Sequence, residues 1–143
     1  MKQLLFTLIC FLCISCNKET NELLKQYENG IVEVSVYYKT KDNLNIQIPD
    51  LKSKLFIYYG KYSTELIDYT FQKGELVKEG KVLYPDQSIT LYEKGKNTIH
   101  LDNIDKPFTI IIESNHYKKT TAYSYPSGEK KVTLTVVFGP FSE

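Results

Sequence analysis

The sequence predicts an all-β protein, a single antiparallel β-sandwich standing behind a short N-terminal leader. Three observations carry that expectation. Apolar and polar residues alternate with period two at both ends of the main body, as in Val32-Glu33-Val34-Ser35-Val36 and Val132-Thr133-Leu134-Thr135-Val136, the pattern of a strand with one buried face. Turn signals recur every ~8–12 residues, the spacing of a sandwich or barrel. Long helical periodicity is missing from residue 30 onward.

Taken in order, the first strand runs from Ile31 to Lys39, with Lys41-Asp42-Asn43 as its turn. Leu44, Ile46 and Ile48 alternate with Asn45 and Gln47, and Pro49-Asp50 ends that strand. Leu55 to Tyr59 follows and stops at Gly60. Ile67, Tyr69 and Phe71 mark another strand, closed by Lys73-Gly74. Between 75 and 93 lie three short apolar runs: Leu76-Val77, Val82-Leu83-Tyr84 and Ile89 to Tyr92. Ile99 and Leu101, then Phe108, Ile110 and Ile112, restore the alternation. Thr120 to Tyr125 is a further strand, Pro126-Ser127-Gly128 reads as a hairpin turn, and Val132 to Phe138 is the last strand. This gives eight or nine strands. The expected core is Val32, Val34, Val36, Ile46, Leu55, Ile57, Phe108, Ile110, Ile112, Leu134 and Val136.

The first residues read differently. Lys2 supplies a positive charge, and Leu4 to Ile14 is apolar except for Thr7. Eleven helical residues reach ~16 Å, about half of a ~30 Å hydrocarbon core. The stretch is too short to span and has the layout of a secretory signal. Ser15 and Cys16 follow, and then the polar run Asn17 to Glu22. A small residue before a Cys at the end of an apolar run resembles the lipobox of bacterial lipoproteins. The resemblance implies a diacylglyceryl group on the Cys16 thiol, cleavage just before it, and acylation of the new amine. Cys13, with Leu12 before it, is the poorer acceptor. The expected organisation is a signal peptide at 1–15, a lipidated Cys16 with a polar tether at 16–29, and a β-sandwich domain at 30–143. Within the tether, Asn21 to Tyr27 has the composition of two helical turns, too short to be stable alone.

Composition narrows the partners. All 18 basic residues are Lys, against 17 acidic ones, and loss of residues 1–15 would take only Lys2. A neutral body without Arg lacks the basic footprint of a nucleic-acid binder and the fork that grips phosphate in two places. Lipid rather than charge would hold it to a membrane. Cys10, Cys13 and Cys16 are the only cysteines. The domain therefore cannot hold an internal disulfide, a Cys nucleophile or a thiolate metal site.

Thr98 to Val136 resembles the second half of the carboxypeptidase regulatory-like domains. Ile99-His100-Leu101 corresponds to a strand, Asp102 to Pro107 to a loop, Phe108 to Glu113 to the strand that carries the chain inward, and Asn115-His116-Tyr117 to a corner. Ser127-Gly128 corresponds to a turn and Val132 to Val136 to the last strand. Earlier, Ile48 to Tyr58 is similar to the stretch that brings that family's second strand into its core. His116 stands where the corner glycine is usual, and Lys106-Pro107 replaces a loop glycine. The resemblance implies a prealbumin-like sandwich and a non-catalytic module on secreted or surface proteins. An immunoglobulin-like topology is the alternative.

Candidate chemistry is sparse. His100 alternates with Ile99 and Leu101 and should face outward, His116 lies in a corner, and no zinc-type His spacing occurs. Asp102, Asn103 and Asp105 offer three oxygens on one loop to a hard cation, but without the alternation and distal Glu of a calcium loop. They are also ordinary turn formers. Glu65, Asp68, Glu93 and Glu113 nominate no carboxylate pair. Ser63, Ser88, Ser114 and Ser124 lack a nucleophile elbow. No enzyme, cofactor or metal is expected. The remaining oddity is 12 Tyr with no Trp. Tyr37-Tyr38 and Tyr58-Tyr59 each put one ring on either face of a strand, which would expose Tyr37 and Tyr58 as partner anchors or sugar-stacking plates. Against that stands the plain β-propensity of Tyr.

The expected role is thus an envelope lipoprotein that binds a protein or glycan without catalysis. The alternative is an inhibitor or immunity lipoprotein that neutralises a toxin or hydrolase, and a minor hydrolase ranks third. Asn17 provides no Asp-type inner-membrane retention signal, and Lys18-Glu19 resembles acidic export tags. Both point to the outer membrane, facing the periplasm or the cell surface.

Overall fold

The computed structural model describes residues 30–140. The expected signal peptide, Cys16 and tether lie outside the described residues. Eleven strands follow one another: β1 Ile31–Thr40, β2 Asn43–Pro49, β3 Lys54–Tyr59, β4 Thr70–Gln72, β5 Glu75–Lys78, β6 Lys81–Leu83, β7 Gln87–Thr90, β8 Asn97–His100, β9 Phe108–Glu113, β10 Thr120–Tyr125 and β11 Lys131–Phe138. A 3-10 turn at Ser63–Glu65 precedes β4. The strands exceed the expected number because each short apolar run between 75 and 93 forms a strand of its own.

They make three sheets. In the front sheet β1 is central. One of its edges pairs with β11 along eight rungs, from Ile31–Lys131 to Tyr38–Phe138. Its other edge is shared, β8 taking Ile31 to Val34 and β2 taking the far half. The middle sheet is antiparallel in the order β10-β9-β3-β7, and the outer sheet is the meander β4-β5-β6. The β1–β11 pair runs parallel, an arrangement that local alternation cannot disclose, since both directions give the same buried face.

Front and middle sheets pack as the sandwich. Val32, Val34 and Val36 of β1 and Val132, Leu134, Val136 and Phe138 of β11 face Leu55 and Ile57 of β3 and Phe108, Ile110 and Ile112 of β9. Phe108 stacks on Tyr125 with ring centroids 5.3 Å apart and meets Tyr59 edge-on at 6.2 Å. All the expected core residues are buried except Ile46, which is 53% exposed. Its alternation with Gln47 and Asn45 marks a strand, but nothing among the described residues covers the face it points to.

The outer sheet explains why Leu55 to Tyr59 of β3 and Ile110 to Ile112 of β9 are apolar on both faces. Leu76, with the partly buried Phe71 and Leu83, packs on Phe56, Tyr58 and Ile111, the far face of the middle sheet. Phe56 meets Phe71 at 5.1 Å. Strands covered on both sides read as unbroken hydrophobic runs. The strand expected over Ile67 to Phe71 is shorter: only 70–72 pairs, and Ile67 is 81% exposed on the approach to it.

Pro126-Ser127-Gly128 is not a hairpin turn. β10 belongs to the middle sheet and β11 to the front one, so this segment crosses between layers. Gly128 adopts φ +82°, and its N–H donates to the Ile104 carbonyl at 2.6 Å. Gly30 sits beneath the same crossover, where an added Cβ would lie 2.5 Å from Ile104 Cγ2 and 2.9 Å from Leu101 Cδ1. A larger residue there would force Ile104 and Leu101 to shift.

Candidate functional site

Hydrolase-type residues do converge at one corner. The turn after β2 carries Asp50, and the turn after β9 carries Ser114 and His116. Ser114 Oγ–H donates to Asp50 Oδ2 at 2.5 Å, and Asp50 Oδ1 accepts the His116 backbone N–H at 3.1 Å. Asp50 and Ser114 are buried. The Ser114 hydroxyl oxygen also accepts the Tyr117 N–H at 3.0 Å. The imidazole of His116 stacks flat on Tyr38 at 3.9 Å and lies edge-on to Tyr117. A nucleophile needs an open oxygen with a base within hydrogen-bond reach. Here the carboxylate holds the hydroxyl directly and the ring is used in stacking, so the constellation fastens two turns together. Tyr117 O–H completes the clasp by donating to the Lys39 carbonyl. Lys52 and Lys118, at φ 65° and 56°, take the left-handed conformation in these same turns, which the surrounding bonds hold in place.

The tyrosine pairs separate. Tyr37 stands half-buried on the outer face of the front sheet, between Val137 and Pro49 in the strand register. Tyr58 is 1% exposed and lies under the outer sheet, with its O–H directed to the Gly74 carbonyl at 3.4 Å. The expected exposure of Tyr58 is therefore corrected: a third layer covers the face that two-sheet reasoning leaves open. Tyr59 O–H donates to Gln87 Oε1 at 2.9 Å, while its oxygen accepts the Asp102 N–H at 2.8 Å.

Burial, aided by the charges of Glu75 and Asp86, pushes the Tyr58 hydroxyl up to about 12. An unfolded tyrosine ionises near ~10. The fold therefore favours the neutral phenol. Its contribution to stability is complete below pH ~10 and is lost as pH rises toward about 12. Melting curves between pH ~9.5 and ~11.5 are expected to fall less steeply for Tyr58→Phe than for the wild type. Equal slopes would contradict this assignment.

The other candidates resolve locally. His100 is exposed, alternating with buried Ile99 and Leu101. Asn103 Oδ1 accepts the Asp105 N–H at 3.0 Å, the side-chain bond of an Asx turn. Glu65 caps its own turn by accepting the Tyr62 N–H at 2.8 Å, and Asp68 pairs with Lys78 at 2.8 Å. Ser63 N–H donates to Ser124 Oγ, which shares a bond with Thr109 Oγ1. Ser88 is exposed on β7, Glu93 lies in the loop between β7 and β8, and Glu113 ends β9. Among the described residues, no three His, Asp or Glu side chains are grouped to hold a metal. On the outer face of the front sheet, Lys96 and Lys131 approach Glu33 Oε1 at 3.1 and 3.4 Å. Lys96 first, then Lys131, hold that carboxyl below its usual range.

What remains open is the surface of the arm formed by β1 and β2. Between the rungs Thr40–Asn43 and Tyr38–Ile48, the four residues Leu44 to Gln47 oppose only Lys39. They bulge out of the ladder, and a bulge bends the strand that carries it. Leu44 and Ile46, both within this bulge, are 46% and 53% exposed. Sequence reasoning assigned Ile46 to the core. The signal against that was available in the polar hairpin around it, Lys41-Asp42-Asn43 and Asn45.

The chain matches no family model, and no curated protein matches it.

Proposed function

We propose that the protein is a lipid-anchored, non-catalytic binding module of the bacterial envelope, held at the outer membrane through Cys16 and engaging a protein partner with the arm of β1 and β2. The single observation that carries the reading is the apolar pair Leu44 and Ile46, set out from the sandwich on a bulged edge strand. Exposed apolar side chains placed together mark interaction surfaces, whereas scattered ones do not.

Orientation supports it. The leader and tether precede Gly30, and β1 begins at the next residue. β1 then runs ten residues, about 33 Å, before its turn. A tether entering at Gly30 leaves the apolar pair at the opposite pole, facing away from the lipid surface. The prealbumin-like reading of the domain stays part of this proposal, supported by the clasp that Asn115-His116-Tyr117 makes with β1 and with the turn after β2.

Two measurements test it. Metabolic labelling with palmitate should mark the wild type and fail with Cys16→Ala; labelling that persists would remove the anchor. A photo-crosslinking residue at position 46 in intact cells should capture one protein of the envelope, and one at exposed Thr133 should not. Ile46→Asp should abolish the interaction yet alter stability by no more than about 0.5 kcal/mol, since the side chain is outside the core. Equal capture from both positions would overturn the arm as the contact. A captured toxin or hydrolase would identify the protein as an inhibitor.

A further inference from the structure

A second surface is built for a different kind of contact. β10 is the edge of the middle sheet, and its six residues, Thr-Thr-Ala-Tyr-Ser-Tyr, carry no charge, no proline and no bulge. Natural edge strands are usually guarded by one of these. The pairing pattern tells which main-chain groups face away from β9. Ser114 N–H donates to the Lys119 carbonyl at 2.8 Å, one step before the Thr120–Glu113 rung. Hydrogen-bonded and open rungs alternate in an antiparallel ladder. Thr121, Tyr123 and Tyr125 therefore bond to β9, and the N–H and C=O groups of Thr120, Ala122 and Ser124 point away from it.

The same edge lies between two grooves. On the side of the outer sheet, a groove of about 290 Å³ is floored by Leu66, Tyr69, Phe71, Leu76 and Ile111 next to Ala122. On the sandwich side, a groove of about 170 Å³ lies between Tyr123 and the Val136 and Phe138 of β11. A strand added to β10 would send alternate side chains into one groove and then the other, the arrangement by which sheet edges read extended peptides. Among the described residues Lys119 is the only charged one lining either groove, and it stands just before β10.

We infer that the β10 edge is a strand-addition site for an extended partner segment that runs antiparallel to β10, alternates apolar residues, and ends in an acidic side chain opposite Lys119. A second copy of this chain fits less well. Two β10 strands paired with each other would offer Thr120, Ala122 and Ser124 to the outer groove, and these small side chains leave its apolar floor unfilled. The inference rests on the binding reading above but uses a different strand. Loss of crosslinking at position 46 bears on that reading alone, and the experiment below bears on this one alone.

A short fluorescein-labelled peptide that alternates Leu with Thr and ends in Asp-Asp serves as the probe, titrated into purified protein and followed by anisotropy. Saturable binding is expected. Ala122→Pro removes an outward N–H and no rung to β9, a position where edge strands accept proline. It should weaken binding at least about tenfold with an unchanged melting midpoint. Lys119→Glu should reverse the preference from the Asp-ended peptide to a Lys-ended one. Should Ala122→Pro fail to fold, the wild type titrated with the peptide N-methylated on alternate residues gives the same test, since that peptide lacks the donors and should not bind. The inference is overturned by absence of binding up to about 1 mM, by equal binding of the N-methylated peptide, or by insensitivity to Ala122→Pro in a folded variant. Sedimentation that shows a dimer lost in Ala122→Pro would also overturn it, assigning the edge to a second copy.

Discussion

Ile110→Ala and Ile111→Ala, neighbours on β9, are expected to damage the protein in different ways. Ile110 is fully buried between the front and middle sheets, while Ile111 is buried against the outer sheet. Truncating a buried isoleucine costs roughly 2–5 kcal/mol, through lost transfer energy and the cavity left behind. Ile110→Ala removes that from the main core. It should lower global stability by about 4 kcal/mol and the Tm by on the order of 15 °C or more, with amide exchange faster in β1, β3, β9 and β11 together. Ile111→Ala strikes a smaller cluster in which only five residues are buried. Its expected effect is local: amides of β5 exchange faster while those of β1 stay protected, because weakly packed units open on their own. Hydrogen exchange on both variants decides the matter. If Ile111→Ala accelerates β1 as much as β5, the outer sheet is an integral part of one cooperative core.

The second large effect is expected at Asp50. Its carboxylate accepts the Ser114 hydroxyl and the His116 N–H, and so joins the turn after β2 to the turn after β9. Hydrogen bonds to a charged group contribute ~1.5–3 kcal/mol, and an orphaned buried partner adds its own desolvation cost. Asp50→Ala should therefore cost about 3 kcal/mol. Asp50→Asn keeps an acceptor oxygen and should cost less. Ser114→Ala alone removes one donor, and in the double variant the two losses should fall short of additive by about 1 kcal/mol or more. Chemical denaturation of the single variants and the double variant measures this. Additive losses would show that the two turns are held by packing, with the Ser114–Asp50 bond incidental.

Much of the fold was legible because alternation is local. Val32 to Val36 and Val132 to Val136 needed no partner to announce which side was buried. Leu55-Phe56-Ile57 and Ile110-Ile111-Ile112 carried more information than period two reveals: an unbroken apolar run signals a strand covered on both faces. Read that way, they would have pointed to a third layer and to the burial of Tyr58. Ile46 fails for the opposite reason, since alternation states which side is apolar without stating that anything packs there. The crossover at Pro126-Ser127-Gly128 was illegible for another reason. A tight turn has the same residues whether it joins partners in one sheet or links two layers. The candidate surfaces were least legible of all. The outward N–H groups of β10 depend on rung phase, and the projection of Leu44 and Ile46 depends on a bulge, neither of which leaves a mark on composition.

The parallel zipper between β1 and β11 has a kinetic consequence. Its rungs join residues a hundred positions apart, as in Ile31 with Lys131. Contacts of such separation are slow to form, because loop closure must come before any reward. During synthesis, β1 waits for nearly the whole body to emerge before its principal neighbour exists. Until then Val32, Val34 and Val36 lack one flank, so the nascent polypeptide remains open and accessible to chaperones.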